Sequence, residues 1–236
     1  MKLGPSLHRI GNDIIAAYLV VTPDGVTIID AGLAGHWREL LAELTAAGKT
    51  IEDIKGVILT HGDSDHVGFA ERLCRDHSVP IYIHPSDASR AMGGPKPASA
   101  KQSVKLGPTL EFLTYSLRKG GMRTQWLTAT IDALGGQTLD LPGSPQIIGL
   151  PGHSEGSIAV FVPVANAVFV GDALTTRHVL TGATGPQPAP FTDDPAQASQ
   201  SLEKLVATGA KWVLPGHGAP WSSGVEAAVA AYRASQ

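Results

Sequence analysis

The run Leu59-Thr60-His61-Gly62-Asp63-Ser64-Asp65-His66 constrains this chain more than any other stretch. It follows the apolar residues Gly56-Val57-Ile58-Leu59, which read as a buried strand, and it precedes a helical pattern from Val67 to Asp76. Four side chains able to bind a metal, His61, Asp63, Asp65 and His66, therefore lie on one strand-to-helix turn. Imidazole with carboxylate suits zinc, manganese or iron, whereas all-oxygen sites suit calcium or magnesium. In an extended turn, residues two apart point the same way. His61 and Asp63 can then serve one position, and Asp65 and His66 a second beside it. The plainer alternative is a polar turn that caps the next helix, with Asp65 as N-cap.

Three more positions weigh toward metal, each at the end of an apolar run and beside glycine. They are His153 in Leu150-Pro151-Gly152-His153-Ser154, Asp172 in Val168-Phe169-Val170-Gly171-Asp172, and His217 in Val213-Leu214-Pro215-Gly216-His217-Gly218. Gly152 and Gly171 let the backbone bend just before each ligand. Asp30 closes another apolar run, Val26 to Ile29.

With these residues in place, the chain resembles the metallo-β-lactamase superfamily. That family's ordered pattern is an aspartate after an early strand, then HxHxDH, then histidine, aspartate and histidine. It is matched by Asp30, the His61 to His66 string, His153, Asp172 and His217, from about residue 10 to about residue 220. One position departs: Asp63 stands where the pattern has its second histidine. The resemblance implies an α/β (α+β) fold, a four-layer αββα sandwich of the metallo-β-lactamase type. It implies that His61, Asp63 and His153 bind one divalent ion and that Asp65, His66 and His217 bind a second. Asp172 would bridge the two, and Asp30 would hold the loop through hydrogen bonds. A metal-bound hydroxide would attack a carbonyl, with Asp65 doubling as acid and base.

Asp63 changes the charge count. Two divalent ions carry about +4 formally. Asp63, Asp65, Asp172 and one hydroxide cancel it, where the usual histidine leaves the core one unit positive. A neutral core is a weaker Lewis acid and accepts a harder metal, since carboxylate oxygen is the harder donor. Zinc is the first expectation, with iron or manganese second. On this count alone, Asp63→His should raise zinc affinity or hydrolytic rate.

Composition bounds the alternatives. The 236 residues, 43% hydrophobic and 17% charged, suit a soluble globular chain, read as a single domain over residues 1–236. The net charge is −3 and the 18 Lys and Arg are scattered, so no nucleic-acid partner is expected. Cys74 is the one cysteine, which leaves no internal disulfide and suits a small core residue. The start of the chain lacks an apolar signal core, and no apolar run reaches membrane-spanning length. The reading is cytoplasmic, with no membrane partner.

Along the chain, Ile14 to Val21 and Val26 to Ile29 flank the turn Thr22-Pro23-Asp24-Gly25 and read as a hairpin. Trp37, Leu40, Leu41 and Leu44 give a helix over Gly35 to Ala47, with His36 at its start in a surface or capping role. Val79 to His84 reads as a strand. Met92 to Pro108, with lysines 96, 101 and 105, reads as a loop, and helical spacing follows (Leu110, Leu113, Leu117). By resemblance, a lid or pocket insertion spans about 92–130. Thr138 to Leu141, Gln146 to Leu150, Ser157 to Pro163 and Ala167 to Val170 read as consecutive strands in hairpins. Thr181 to Pro190 reads as a loop, with His178 before it as a weak substrate contact. Asp194-Pro195 opens a helix, Lys211 to Leu214 is the last strand, and Val225, Val229 and Tyr232 mark a closing helix.

Three function classes follow. The first is a dinuclear metal-dependent hydrolase of a small ester, lactone, thioester or lactam. The second is a diiron redox protein of the same fold, working with a separate electron-transfer partner. The third is a non-catalytic metal-binding member. Few residues follow His217, which disfavours the glutathione thioesters of glyoxalase II enzymes.

Overall fold

The computed structural model describes residues 1–97 and 103–236. The first sheet has seven strands, adjacent in chain order: β1 (Lys2–Gly4), β2 (Leu7–Gly11), β3 (Ala16–Thr22), β4 (Gly25–Ile29), β5 (Ile54–Ile58), β6 (Ile81–Ile83) and β7 (Ile131–Asp132). β1 to β4 pair antiparallel, and β4 to β7 pair parallel. Parallel neighbours need a crossover. Helix α1 (Trp37–Ala46) supplies the first, α2 (Ser64–Val67) with α3 (Ala70–His77) the second, and α4 (Pro85–Ala91) with α5 (Leu106–Arg118) the third.

The second sheet contains β8 (Gln146–Gly149), β9 (Ile158–Val162) and β10 (Ala167–Gly171). β11 (Thr175–Arg177) and β12 (Thr184–Gln187) form a separate antiparallel pair. Helices α6 (Pro195–Ser201) and α7 (Glu203–Val206) then cross to β13 (Trp212–Pro215), and α8 (Val225–Ala234) closes the chain. The order in this sheet is β13-β10-β9-β8, with β13 parallel to β10.

Three apolar interfaces separate four layers. In the middle one, Tyr18, Ile29 and Ile58 of the first sheet pack on Ile158, Phe169 and Leu214 of the second. Tyr18 and Phe169 meet edge to face, with centroids 5.3 Å apart. Outside the first sheet, Leu19, Ile28 and Val57 meet Leu40 and Leu44 of α1 and Leu73 of α3. Outside the second, Val168 and Val170 meet Leu202, Leu205 and Tyr232. Successive residues thus enter opposite cores, as Ile28 and Ile29 or Val168 and Phe169 do. Strands buried on both faces read as continuous apolar runs, which is why the sequence marks them so clearly. The layers are those of an αββα sandwich.

Several local expectations are corrected. The helix over Val67 to Asp76 is two helices, because Gly68 (φ −2°, ψ −88°) breaks it. A Cβ at Gly68 would lie 2.2 Å from the Gly32 carbonyl oxygen, so the kink lets two backbones touch beside the His61–His66 turn. Thr138 to Leu141 is a turn with one bridge, Thr138 to Gln146. Thr181 to Pro190 contains β12, and the β1–β2 hairpin was not anticipated. The β3–β4 hairpin forms as expected, and from β4 onward the strands pair parallel. In the segment 92–108, residues 98–102, with Lys101, lie outside the described residues. Gly107 and Pro108 fall in the first turn of α5, where a missing N–H does no harm.

His36 is not at the surface. It is buried, and its Nδ1 accepts the Leu33 N–H at 2.9 Å. The ring proton is therefore on Nε2, which donates to the Tyr115 hydroxyl at 2.8 Å. Gly35 N–H donates to the Lys119 carbonyl at 2.8 Å, and Lys119 pairs with Glu39. These contacts seat α5 against the start of α1. Burial pushes the His36 pKa down to about 4, with Glu39 opposing. The unfolded chain therefore binds this proton more readily, so the stability is complete above about pH 6.5 and is lost as pH falls toward 4. Chelator-treated protein taken from pH 7 to 4.5 should lose about 2–3 kcal/mol more than its His36→Asn variant in urea unfolding. Equal losses would show that His36 is not held neutral.

Candidate metal centre

The C-terminal ends of parallel strands from both sheets converge on one side of the sandwich, where open α/β sheets place their ligand crevices. Asp30 follows β4, and Thr60 and His61 follow β5. His153 lies in the β8–β9 turn, Asp172 follows β10, and His217 follows β13. Gly171 has φ +51°, and a Cβ there would lie 2.2 Å from Thr60 Oγ1. Only glycine lets the Asp172 strand approach the His61 strand so closely. Backbone bonds join the halves: Ile158 N–H donates to the Thr60 carbonyl at 2.9 Å, and Ala16 N–H to the Gly216 carbonyl at 2.8 Å.

The structure brings all seven expected ligand residues together. Three overlapping groups could each hold an ion: His61, Asp63 and His153; Asp65, His66 and His217; and His61, His66 and Asp172. Asp63 Oδ2 is 3.8 Å from His61 Nε2 and 3.8 Å from His153 Nε2. Asp65 Oδ2 is 3.5 Å from His217 Nε2. Asp172 lies between the first two groups, with Oδ1 3.5 Å from His66 Nε2 and Oδ2 3.1 Å from His217 Nε2 and 3.9 Å from His153 Nε2. Donors about 2.1 Å from a shared tetrahedral ion would sit about 3.4 Å apart, so small adjustments suffice. The helix-cap alternative is not met, since α2 begins after Asp63 and has no side-chain cap bond.

Four buried atoms point into this space without a hydrogen-bond partner: Nε2 of His61, His66 and His153, and Oδ1 of Asp172. Each orphaned buried group costs about 1–3 kcal/mol. Cations between them would satisfy all four. Every Nδ1, in contrast, is tied down. His66 Nδ1 donates to Asp30 Oδ2 at 3.0 Å. His61 Nδ1 donates to Thr60 Oγ1 at 3.1 Å, and that hydroxyl donates to Asp30 Oδ2 at 2.9 Å. His153 Nδ1 donates to Thr192 Oγ1 at 3.2 Å, and His217 Nδ1 to the Ile14 carbonyl. Locking Nδ1–H leaves Nε2 unprotonated and aimed at a metal. Asp30 so orients two histidines, one directly and one through Thr60.

The electrostatics match. Burial works against the Asp172 carboxylate, but His217 and His66 outweigh it and hold its carboxyl well below the usual range. Burial also works against charging His217, yet Asp172 and Asp65 push it up to about 9. Burial and His66 hold His61 well below its usual value. Cations entering this site would displace protons from the raised histidines.

His84 lies outside this cluster and caps α4, its Nδ1 accepting the Ser86 N–H at 3.3 Å. His178 does not line the cavity over the site, although Val179 does. Sequence reasoning missed Thr60, Thr192 and the polar face of α4. Asp87, buried on α4, accepts the Gly62 N–H at 2.8 Å, Ser154 Oγ at 2.8 Å and the Gly156 N–H at 3.0 Å, so it braces both the His61 and His153 loops. The signal was the spacing of Asp87 and Arg90, one turn apart after a proline-initiated helix.

A cavity of about 510 Å³ opens on Asp65, His153, Asp172 and His217. Its walls are mostly apolar, from Phe112, Leu113 and Leu117 of α5 with Met122, Val179 and Phe191. Phe112 meets the His217 ring edge to face at 6.3 Å. Leu113 and Leu117, which follow helical spacing, are exposed and turn toward this mouth and away from any core. No helix among the described residues is long and apolar enough to cross a membrane.

The model of the "Metallo-beta-lactamase superfamily" matches residues 10–217. "Probable metallo-hydrolase YflN" of Bacillus subtilis (strain 168) is 28% identical over 226 residues, covering 91% of this chain and 84% of its own. The crystal structure of the metallo-beta-lactamase family protein TTHA1429 from Thermus thermophilus superposes with a TM-score of 0.69 at 20% identity, over 97% of this chain and 78% of that one. TTHA1623, solved in a di-iron-bound form, superposes with a TM-score of 0.61 at 28% identity, over 96% of each chain.

Proposed function

This chain belongs to the metallo-β-lactamase superfamily, and from that premise we propose that it is a dinuclear metal hydrolase of a small ester, lactone, thioester or lactam carbonyl. The observation that carries the reading is the convergence of three unpartnered Nε2 atoms and one Asp172 oxygen on a common space. In this reading His61, Asp63 and His153 hold one ion, Asp65, His66 and His217 hold the other, and Asp172 serves both. Two bound divalent ions would supply an activated water at neutral pH and polarise the carbonyl oxygen. Asp65 is the ligand carboxylate more open to the cavity, and it is placed to take a proton from the water and return it to the leaving group. Leu113, Leu117 and Phe191 keep bulk water from the bound substrate and favour an apolar body beside the reacting carbonyl. The chain acts as one catalytic domain over residues 1–236, with α5 and Met122, of the segment expected as a pocket insertion, contributing the wall of the pocket.

A diiron redox protein is the second reading, favoured by the harder Asp63 donor and by the 28% identical TTHA1623 in its di-iron-bound form. Elemental analysis with an absorption spectrum, on protein purified without added metal, separates the two. About two zinc per chain, no colour, and turnover of a lactone, thioester or β-lactam panel is the result expected. About two iron per chain with visible absorbance would replace the hydrolase by the redox reading. Fewer than one metal of any kind, even after reloading, would sink both.

A further inference from the structure

The Asp63 carboxylate has two faces. Oδ2 looks toward His61 and His153, as described above. Oδ1 is held by Arg90 Nε, and the same guanidinium reaches Asp193 Oδ2 through Nη1 at 3.1 Å. Arg90 is 7% exposed and Asp63 6%, so the pair is withdrawn from water. A guanidinium stays charged at any working pH and presents donors in a rigid fork. Burying it without need would be costly, because a buried ion must be repaid by close, well-directed partners. Here the partner that takes Nε is the one ligand residue whose type departs from the family pattern. Lys96 also touches Asp63, Nζ to Oδ2 at 2.5 Å, but it is half exposed and can withdraw from the metal-facing oxygen.

We propose that Arg90 is a positioning residue for the metal centre: it fixes Asp63 as a one-oxygen ligand and offsets the negative charge that aspartate brings to this position. The inference rests on the reading that Asp63 binds metal. Two consequences follow. The added carboxylate makes the ligand set one unit more negative, and Arg90, shared with the more exposed Asp193, sets a fixed positive charge directly behind it that offsets part of that unit. Asp63 and Arg90 are then a matched pair. Asp63→His alone would set an imidazole and a divalent ion against a buried guanidinium, so it should weaken metal binding. This reverses the expectation drawn from the ligand residues alone.

The test is a double-mutant cycle read as zinc affinity and stoichiometry, by competition with a chromophoric chelator on protein whose fold is checked by circular dichroism. Arg90→Met should keep one zinc near its original affinity and lower the other about 10–100-fold. Asp63→His should also weaken one zinc. The double variant, Asp63→His with Arg90→Met, should bind both ions within a few fold of the parent, a rescue that a merely structural role for Arg90 would not give. If Arg90→Met does not fold, Arg90→Lys decides: it keeps the charge but cannot hold Asp63 and Asp193 with one planar fork, and a several-fold loss at one zinc is expected. Parent-like affinity in either Arg90 variant, or no rescue in the double variant, overturns the proposal and leaves the metal centre standing. Retention of both ions by Asp63→Ala would instead remove Asp63 from the ligand set.

Discussion

Protein carrying Asp172→Ala, stripped with chelator and reloaded with zinc, is expected to hold fewer than two ions per chain by elemental analysis, against the two expected of the parent. Asp172 is the carboxylate whose two oxygens face different histidines, His66 on one side and His153 and His217 on the other. Alanine removes both donors together and leaves the imidazoles facing a gap. A ligand that binds only the folded state at about 1,000 times its Kd adds about 4 kcal/mol of stability. The gain in unfolding free energy on adding zinc should therefore shrink by an amount of that order. Full retention of two ions would refute the assigned site.

The second large effect is expected at Asp30, which touches no proposed ion. Its carboxylate accepts from Thr60 N–H at 2.8 Å, from Thr60 Oγ1 and from His66 Nδ1. Asp30 also has a positive φ of 59°, a conformation that asparagine tolerates well. Asp30→Asn thus leaves the backbone intact and removes only the charge and one acceptor. An amide oxygen can serve either the two Thr60 donors or His66 with the Thr60 hydroxyl, and its NH2 then opposes the donor left over, His66 Nδ1–H or Thr60 N–H, which loosens the brace behind His61 and His66. Zinc affinity should fall about 10–100-fold, and metal-free stability by about 1.5–3 kcal/mol. Chelator competition and urea unfolding measure the two. Parent-like affinity would mean that ring packing alone, with the His61 and His66 centroids 4.0 Å apart, sets the two imidazoles.

Much of the site was legible because metal chemistry is written locally. The ligand types, their spacing within one turn, and glycines beside strand ends are all short-range signals, and every residue they marked arrives at the cluster. The double-sided burial of β4, β5 and β10 likewise shows in their unbroken apolar runs. Strand direction did not show, since a buried parallel strand and a buried hairpin strand have the same composition. Nor did the role of α5. Its leucine spacing announces a helix, but periodicity does not say whether the stripe faces a core or a cavity mouth. The capping role of His36 holds, but its burial did not show, for a related reason: its partner Tyr115 lies 79 residues away.

The sequence by itself marked the candidate ligands, the turn that carries four of them and the apolar strands that deliver them, because these depend on side-chain chemistry and on neighbours a few residues apart. The tertiary structure decided what those ligands amount to. It set Asp30 behind two histidines and Asp87 behind two loops. It put Arg90 against Asp63 from 27 residues away and Asp193 against Arg90 from 103. Charge acts through space and grows with burial, so the electrical character of Asp63 was settled by residues that no local pattern ties to it.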